Sequence, residues 1–159
     1  TRDWSSDVCS SDLEKEVDPV CRKEGIGHIV WSPLAQGVLT GKYQPGAKAP
    51  SGSRATDKKG GANMINGWMR EEVLTAVQKL KPIADVNELT MGQLAVAWVL
   101  QNPNVSSAII GATKPAQIKE NVKASGVKLS SETMAQIDKA LSGVIERDPS
   151  KTQSPKQRP

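Results

Sequence analysis

Two kinds of apolar pattern alternate along this chain. Short continuous apolar runs at residues 28–31 and 106–111 predict β-strands. Elsewhere apolar residues recur at intervals of three and four, which is the spacing of one helix face. That spacing predicts helices over residues 14–24, 68–88, 90–101, 115–122 and 130–141.

Individual residues mark several helix boundaries. Thr90 and Gln93 match a capping box, in which the threonine side chain accepts from the backbone and the glutamine reaches back to it. Pro82 should kink or break the helix of residues 68–88, because proline removes an intrahelical hydrogen bond. Pro19 places the start of the first helix near Asp18.

Residues 34–66 form a long connection rich in glycine, proline, serine and lysine, in which only a brief turn over residues 37–43 is expected. A connection of this length in a compact domain is usually a functional loop or a disordered one. The composition leaves both a functional loop and a solvated flexible insertion open.

Strands that alternate with helices favour an α/β fold with a parallel sheet. Only two strands are predicted here, whereas a parallel sheet is normally covered on both faces and contains more strands. We therefore expect an incomplete α/β fold that forms part of a larger one.

Composition restricts the function classes. The chain has 159 residues, a formal net charge of +4 and 24% charged residues, without the aromatic-interleaved basic runs typical of nucleic-acid binding. Cys9, Cys21 and His28 are too few and too scattered for a zinc site, and a lone strand histidine is usually structural. No apolar run is long enough to span a membrane, and no signal-peptide core is visible. These features predict a cytoplasmic protein with reduced thiols.

The two ends of the chain differ from its middle. Residues 1–13 read TRDWSSDVCSSDL and have no usable periodicity. We interpret them as a disordered leader or as a non-native segment that resembles translated sequencing adapter. Residues 14–145 are predicted to form the folded portion, and residues 146–159 a polar, disordered tail.

The stretch at residues 108–121 joins the second strand to the next helix. Pro115 suits a first helical turn, because its missing N–H would have no intrahelical partner there. Backbone donors at such a helix start, with Thr113 and Lys114 beside them, form a natural anion site. A purely structural strand-to-helix turn is the alternative.

Two motifs in consistent order make the chain resemble the aldo-keto reductase family. They are WSPLAQGVLTGKY at residues 31–43 and IIGATKPAQIKEN at residues 109–121. The resemblance runs from about residue 14 to residue 141. WSPLA with GKY and Ser53-Arg54 is most similar to the branch of the potassium-channel beta subunits and their bacterial relatives. The family fold is a (β/α)₈ TIM barrel, so the resemblance implies its C-terminal part, the last two strands with their helices.

The resemblance also implies an NADP(H) site. Trp31 would stack on the nicotinamide ring, and five residues would line the pyrophosphate, mainly through their backbone: Ser32, Pro33, Leu34, Ala35 and Gln36. Lys42 and Arg54 would supply charge to phosphate, with the long loop as a cover. In such barrels a phosphate site often lies at the loops after strands seven and eight.

The second motif would hold the adenosine part of the cofactor. Gly111 would permit close backbone approach, while Thr113 and Gln117 would bind the region of the 2′-phosphate. Glu120 and Asn121 would hold the adenine edge. Many relatives carry arginine at position 117, so the strength of the preference for NADP over NAD stays open.

The family's catalytic tyrosine, lysine, aspartate and histidine belong to the N-terminal half, and no residue of this chain matches their motifs. The resemblance therefore implies a fragment of an NADP(H)-dependent reductase of aldehydes and ketones, inactive alone. An alternative is an NADP(H)-binding regulatory subunit of the potassium-channel beta type. A third is a half-barrel that folds poorly because its strand edges are unpaired. The expected partner is a small carbonyl substrate. We expect no nucleic-acid partner, no metal and no membrane insertion. The identity of the substrate and homo-oligomerisation are left open.

Overall fold

The computed structural model describes residues 17–145. The predicted leader at residues 1–13 and the predicted tail at residues 146–159 lie outside this range. The described helices are α1 Asp18–Lys23, α2 Gly61–Ile65, α3 Glu71–Gln78, α4 Leu80–Val86, α5 Met91–Val99, α6 Pro115–Val122 and α7 Ser131–Leu141. Shorter 3₁₀ helices occupy Ala35–Thr40, Arg54–Thr56 and Asn66–Trp68.

Two strands, β1 His28–Trp31 and β2 Val105–Ile109, pair in parallel. The prediction of an α/β fold with a parallel sheet is confirmed at this level. β2 begins one residue earlier and ends two residues earlier than predicted. The register passes from His28 opposite Val105 to Ile29 opposite Ser107, so Ser106 forms a bulge.

The apolar segment predicted over residues 68–88 is two helices. α3 ends at Gln78 and α4 begins at Leu80, with Lys79 between them. The break at Lys79 directly follows Gln78, which lies four residues before Pro82 and whose carbonyl would clash with the proline ring in a continuous helix. The proline therefore acts one turn upstream of its own position.

The long connection over residues 34–66 is ordered and contributes to the core. Val38, Tyr43 and Ile65 are each at most 1% exposed, and they pack with the apolar faces of α3, α5 and α7. The interpretation of this connection as a solvated flexible insertion is therefore wrong. The apolar residues that anchor this segment are too far apart to form a recognisable period.

A polar cluster ties α1 to both strands. The buried carboxylate of Asp18 accepts hydrogen bonds from Arg22 and from Asn104, which precedes β2, and its Oδ1 lies 3.1 Å from Nε2 of His28. Burial tends to raise the pKa of Asp18, but the hydrogen bonds from Asn104 and Arg22 and the charge of Arg22 outweigh it and lower the pKa. His28 thus has a structural partner.

One face of the two-stranded sheet is open. Ile29 and Trp31 of β1 are 68% and 47% exposed, and Ile109 of β2 is 58% exposed. Side chains two apart along a strand share a face, so these three apolar residues form one surface. The opposite face packs against α5.

Candidate functional site

The two strands end side by side. Trp31 is the register partner of Ile109, so the segments that follow them leave the sheet at the same edge. These are the segments that contain the two motifs of the sequence. The strand pairing alone therefore brings the first residues of both motifs together.

The segment after β1 is a tight turn with an unusual backbone. Ser32, Ala35 and Gln36 have φ values of 54°, 45° and 58°, and Gly37 has 98°. Left-handed backbone at three non-glycine residues costs of the order of 1–3 kcal/mol each, and it persists only where surrounding contacts hold it. Such strain is concentrated at ligand clamps and active sites.

Apolar contacts with the core hold this turn in place. Pro33 is buried, and Leu34 packs on a small cluster formed by Val96, Ala97 and Ala124. The side chain of Ala35 packs against the main core. The apolar residues of the turn therefore anchor it on α5, while its backbone stays near the sheet edge.

The side chain of Gln36 uses both ends of its amide. Its Nε2 donates to Oγ of Ser32 over 2.8 Å, and its Oε1 accepts from the guanidinium of Arg54. Arg54 lies 18 residues further along, at the start of a 3₁₀ helix. The long loop thus returns to the turn and brings a cation to it.

A second cation approaches the neighbouring residue. A Cβ at Gly37 would lie 3.0 Å from Nζ of Lys42, so the ammonium packs against the glycine backbone. The same ammonium lies 5.1 Å from the ring centroid of Tyr43, a cation–π contact. Lys42 and Arg54 therefore flank consecutive residues of the turn.

The start of α6 is capped by one of its own side chains. Oε1 of Gln117 accepts from the backbone N–H of Thr113 over 2.8 Å and from that of Lys114 over 3.0 Å. The hydroxyl of Thr113 is 3.2 Å from the same oxygen. These are the donors that an anion would use at this helix start, so Gln117 occupies them in this conformation.

Further along α6, Glu120 is held by two neighbours. Nε2 of Gln93 donates to the backbone carbonyl of Glu120 over 2.9 Å and approaches its Oε2 at 3.3 Å. Oε1 of Glu120 pairs with Lys123 at 2.7 Å. Asn121 is half-buried, and its carbonyl accepts from the N–H of Ala124.

The structure therefore arranges the predicted residues in two groups. The group around the turn, Trp31 to Gln36 with Lys42 and Arg54, is joined by the contacts above. The group on α6, Thr113, Gln117, Glu120 and Asn121, shares the sheet edge, but within residues 17–145 no hydrogen bond joins the two groups. Gly111 lies exposed after β2, with open space where a Cβ would point.

Sequence reasoning missed the long-range contacts of this region. Gln93 was predicted only as a capping residue, and nothing in its local sequence indicates that its amide also reaches Glu120. The pairing of Gln36 with Arg54 likewise leaves no trace in sequence spacing. Tyr43, a residue type used as a proton donor, is enclosed in the core.

Some kinds of site are absent from the described part of the chain. No cluster of three or more histidine, cysteine, aspartate or glutamate side chains within residues 17–145 could hold a metal ion. Over the same residues, no helix combines the length and the apolar character needed to cross a membrane. The arrangement is instead a strained, cation-flanked turn beside a helix start, which is suited to a phosphorylated ligand.

A comparison with known protein families agrees with this fold and with the position of the two motifs at one end of the sheet. The sequence model described as "Aldo/keto reductase family" matches residues 4–142. The chain therefore belongs to the aldo/keto reductase family.

Its relatives include potassium-channel beta subunits. The chain is 51% identical over 112 residues to a probable voltage-gated potassium channel subunit beta of Arabidopsis thaliana, covering 70% of this chain and 34% of that protein. It is 42% identical over 142 residues to the corresponding protein of Oryza sativa subsp. japonica, with coverages of 89% and 42%. The resemblance to this branch is confirmed.

The fold of this chain is also similar to a solved structure. The glycerol dehydrogenase of Gluconobacter oxydans aligns with a TM-score of 0.66 and 26% identity, over 86% of this chain and 40% of that one. The chain thus spans about two fifths or less of the proteins it matches.

Proposed function

We propose that this chain is the cofactor-binding C-terminal portion of an NADP(H)-dependent aldo-keto reductase that reduces aldehydes and ketones to alcohols. Its two strands would be the last two strands of a (β/α)₈ barrel. The parallel pairing, the open face of β1 and β2 and the chain's coverage of its relatives support this placement.

The observation that carries the proposal is the turn after β1. Two cations, Lys42 and Arg54, reach consecutive residues of a turn whose backbone is held in a strained left-handed conformation. Neither cation has an acidic partner among the described residues. Exposed cations beside a strained backbone turn suit the phosphates of a dinucleotide.

The other predicted residues fit the same ligand. Trp31, about half exposed at the strand end, offers a ring face for stacking on nicotinamide. On α6, Gln117 would use its Nε2 donor and Glu120 its carboxylate toward the adenosine end, in exchange for the contacts of that carboxylate with Gln93 and Lys123. For Gln117 to release the N–H groups of Thr113 and Lys114 to a phosphate, its side chain would have to rotate away.

The reaction needs one group that this part of the chain does not offer. When bound, the nicotinamide supplies hydride to the carbonyl carbon, and the carbonyl oxygen must then receive a proton. The enclosed phenol of Tyr43 is 1% exposed and cannot reach a substrate at the strand edge. The proton donor and the substrate pocket would come from the rest of the barrel, so we expect this chain to be inactive alone.

A second function is favoured by the relatives. Three relatives are named as probable or putative potassium-channel beta subunits, and in this alternative the intact protein would bind NADP(H) and regulate a channel. The cofactor side would be the same in both functions. The two functions differ in whether the intact protein reduces a carbonyl substrate.

The test joins residues 14–145 to the N-terminal part of the Arabidopsis relative. We expect the chimaera to bind NADPH and to oxidise it in the presence of aldehydes or ketones, followed by loss of NADPH absorbance. The intact relative is the positive control. Arg54→Ala should weaken NADPH binding, whereas Lys81→Ala, which removes a remote exposed cation on α4, should leave it unchanged.

The outcomes separate the alternatives. A chimaera that is folded by circular dichroism but does not bind NADPH would contradict the cofactor site. A chimaera that binds NADPH without turnover, beside an active parent, would favour the regulatory subunit.

A further inference from the structure

We propose that Gln36 is a positioning residue: it holds the guanidinium of Arg54 against the turn after β1 and thereby closes the long loop over the site. This inference rests on the proposed function for its effect on cofactor binding. The contact itself does not depend on it.

The geometry of the amide supports this role. Gln36 donates to Ser32 within its own turn and accepts from Arg54 of the returning loop, so one side chain joins the strand end to the loop. Within residues 17–145, Arg54 has no other side-chain hydrogen bond and no acidic partner. Its aliphatic stem packs close to Gly61, where a Cβ would come within 3.1 Å of Cγ of Arg54.

The backbone at Gln36 points to the same conclusion. Its φ of 58° and ψ of 21° lie in the left-handed region, where glycine is the least strained residue. A long side chain at this position adds strain and makes no contribution to the buried core. The contribution of this side chain is therefore the two hydrogen bonds of its amide.

This reasoning yields a variant that separates structure from positioning. Gln36→Gly removes the amide and relieves the backbone strain together. If residue 36 serves only the stability of the turn, Gln36→Gly should leave NADPH binding unchanged or improve it. If Gln36 positions Arg54, the same variant should lose affinity despite a relaxed backbone.

The first measurement uses the 159-residue chain without cofactor. Trypsin cleaves after accessible arginine and lysine, so release of Arg54 from Gln36 should expose its peptide bond. We expect Gln36→Gly to be cut after Arg54 about three- to tenfold faster than the unaltered chain, in line with the loss of one solvent-exposed hydrogen bond. Cleavage after Lys58 and Lys59 of the same loop serves as the internal reference.

The second measurement is a double-mutant cycle on the NADPH affinity of the chimaera described above, read from protein fluorescence at low salt. We expect Gln36→Gly and Arg54→Ala each to weaken binding about three- to tenfold, and the double variant to be no weaker than Arg54→Ala alone. Gln44→Ala, which removes another glutamine amide of the loop outside the site, should match the unaltered chain.

Each outcome of these measurements tests one step of the proposal. Unchanged trypsin cleavage at Arg54 in Gln36→Gly would overturn the positioning role whether or not NADPH binds. Additive losses in the cycle would also overturn it, because Gln36 would then act independently of Arg54. An unaltered chimaera that binds no NADPH, with faster cleavage in the Gln36→Gly chain, would retain the contact and refute the proposed cofactor site.

Discussion

Replacing Gln93 by alanine should detach α6 from α5. Gln93 is 5% exposed, and its side chain makes two hydrogen bonds of 2.9 Å, accepting from the N–H of Thr90 and donating to the carbonyl of Glu120. The change removes half of the capping box and leaves both backbone partners without their side-chain partner. α6 is the helix that carries Gln117 and the other residues predicted to bind adenosine.

The magnitude follows from these contacts. Each hydrogen bond contributes about 0.5–1.5 kcal/mol net, and a lost helix cap costs about 1 kcal/mol. Counting the cap as one of the two bonds, we expect Gln93→Ala to lower the free energy of unfolding by about 1.5–2.5 kcal/mol. With a urea slope of about 1–3 kcal/mol/M, the unfolding midpoint should fall by about 0.5–2.5 M.

Urea unfolding followed by far-ultraviolet circular dichroism measures this change, and a second variant separates the two bonds. Gln93→Glu keeps the acceptor for Thr90 but sets a carboxylate against the carbonyl and carboxylate of Glu120. It should lie between Gln93→Ala and the unaltered chain at neutral pH, and it should recover at mildly acidic pH, where the protonated carboxyl can donate.

The control is Gln136→Ala, which removes an exposed glutamine amide on α7. We expect it to stay within about 0.5 kcal/mol of the unaltered chain. A midpoint for Gln93→Ala equal to that of Gln136→Ala would refute the reasoning, because the buried amide would then contribute nothing to the docking of α6.

Three further changes test other contacts. Arg54→Ala should weaken NADPH binding at low salt and have a smaller effect at high salt, where ions screen its charge; equal effects in titrations at both salt concentrations would remove Arg54 from the site. Gly41→Ala should lower the thermal midpoint through a loss of about 1–3 kcal/mol, because φ is 74° and the new Cβ would clash with Sδ of Met91. The pKa of Asp18 is depressed below its ordinary 3.8, so its carboxylate stabilises the fold above that pH and the contribution disappears as pH falls through the depressed value. Asp18→Asn should therefore lower the urea midpoint at neutral pH and flatten its fall between about pH 5 and pH 3; a fall as steep as that of the unaltered chain would assign the acid sensitivity to other groups.

Much of the secondary structure could be read from neighbouring residues. The strand at His28–Trp31, the capping box of Thr90 and Gln93 and the helix start at Pro115 all depend on groups within four residues of each other. Local patterns of this kind survive in any fold that contains them. The two motifs also indicated the family and the order of its elements.

The partners of the site residues required the folded chain. Gln36 meets Arg54 across 18 residues, Gln93 meets Glu120 across 27, and Asn104 meets Asp18 across 86. No sequence period encodes such pairs, because each arises from the path of the backbone rather than from spacing along it. The long connection shows the same limit, since Tyr43 and Ile65 are buried by helices that lie later in the chain. Sequence identified the candidate residues for a phosphorylated cofactor, and packing determined which of them are held together.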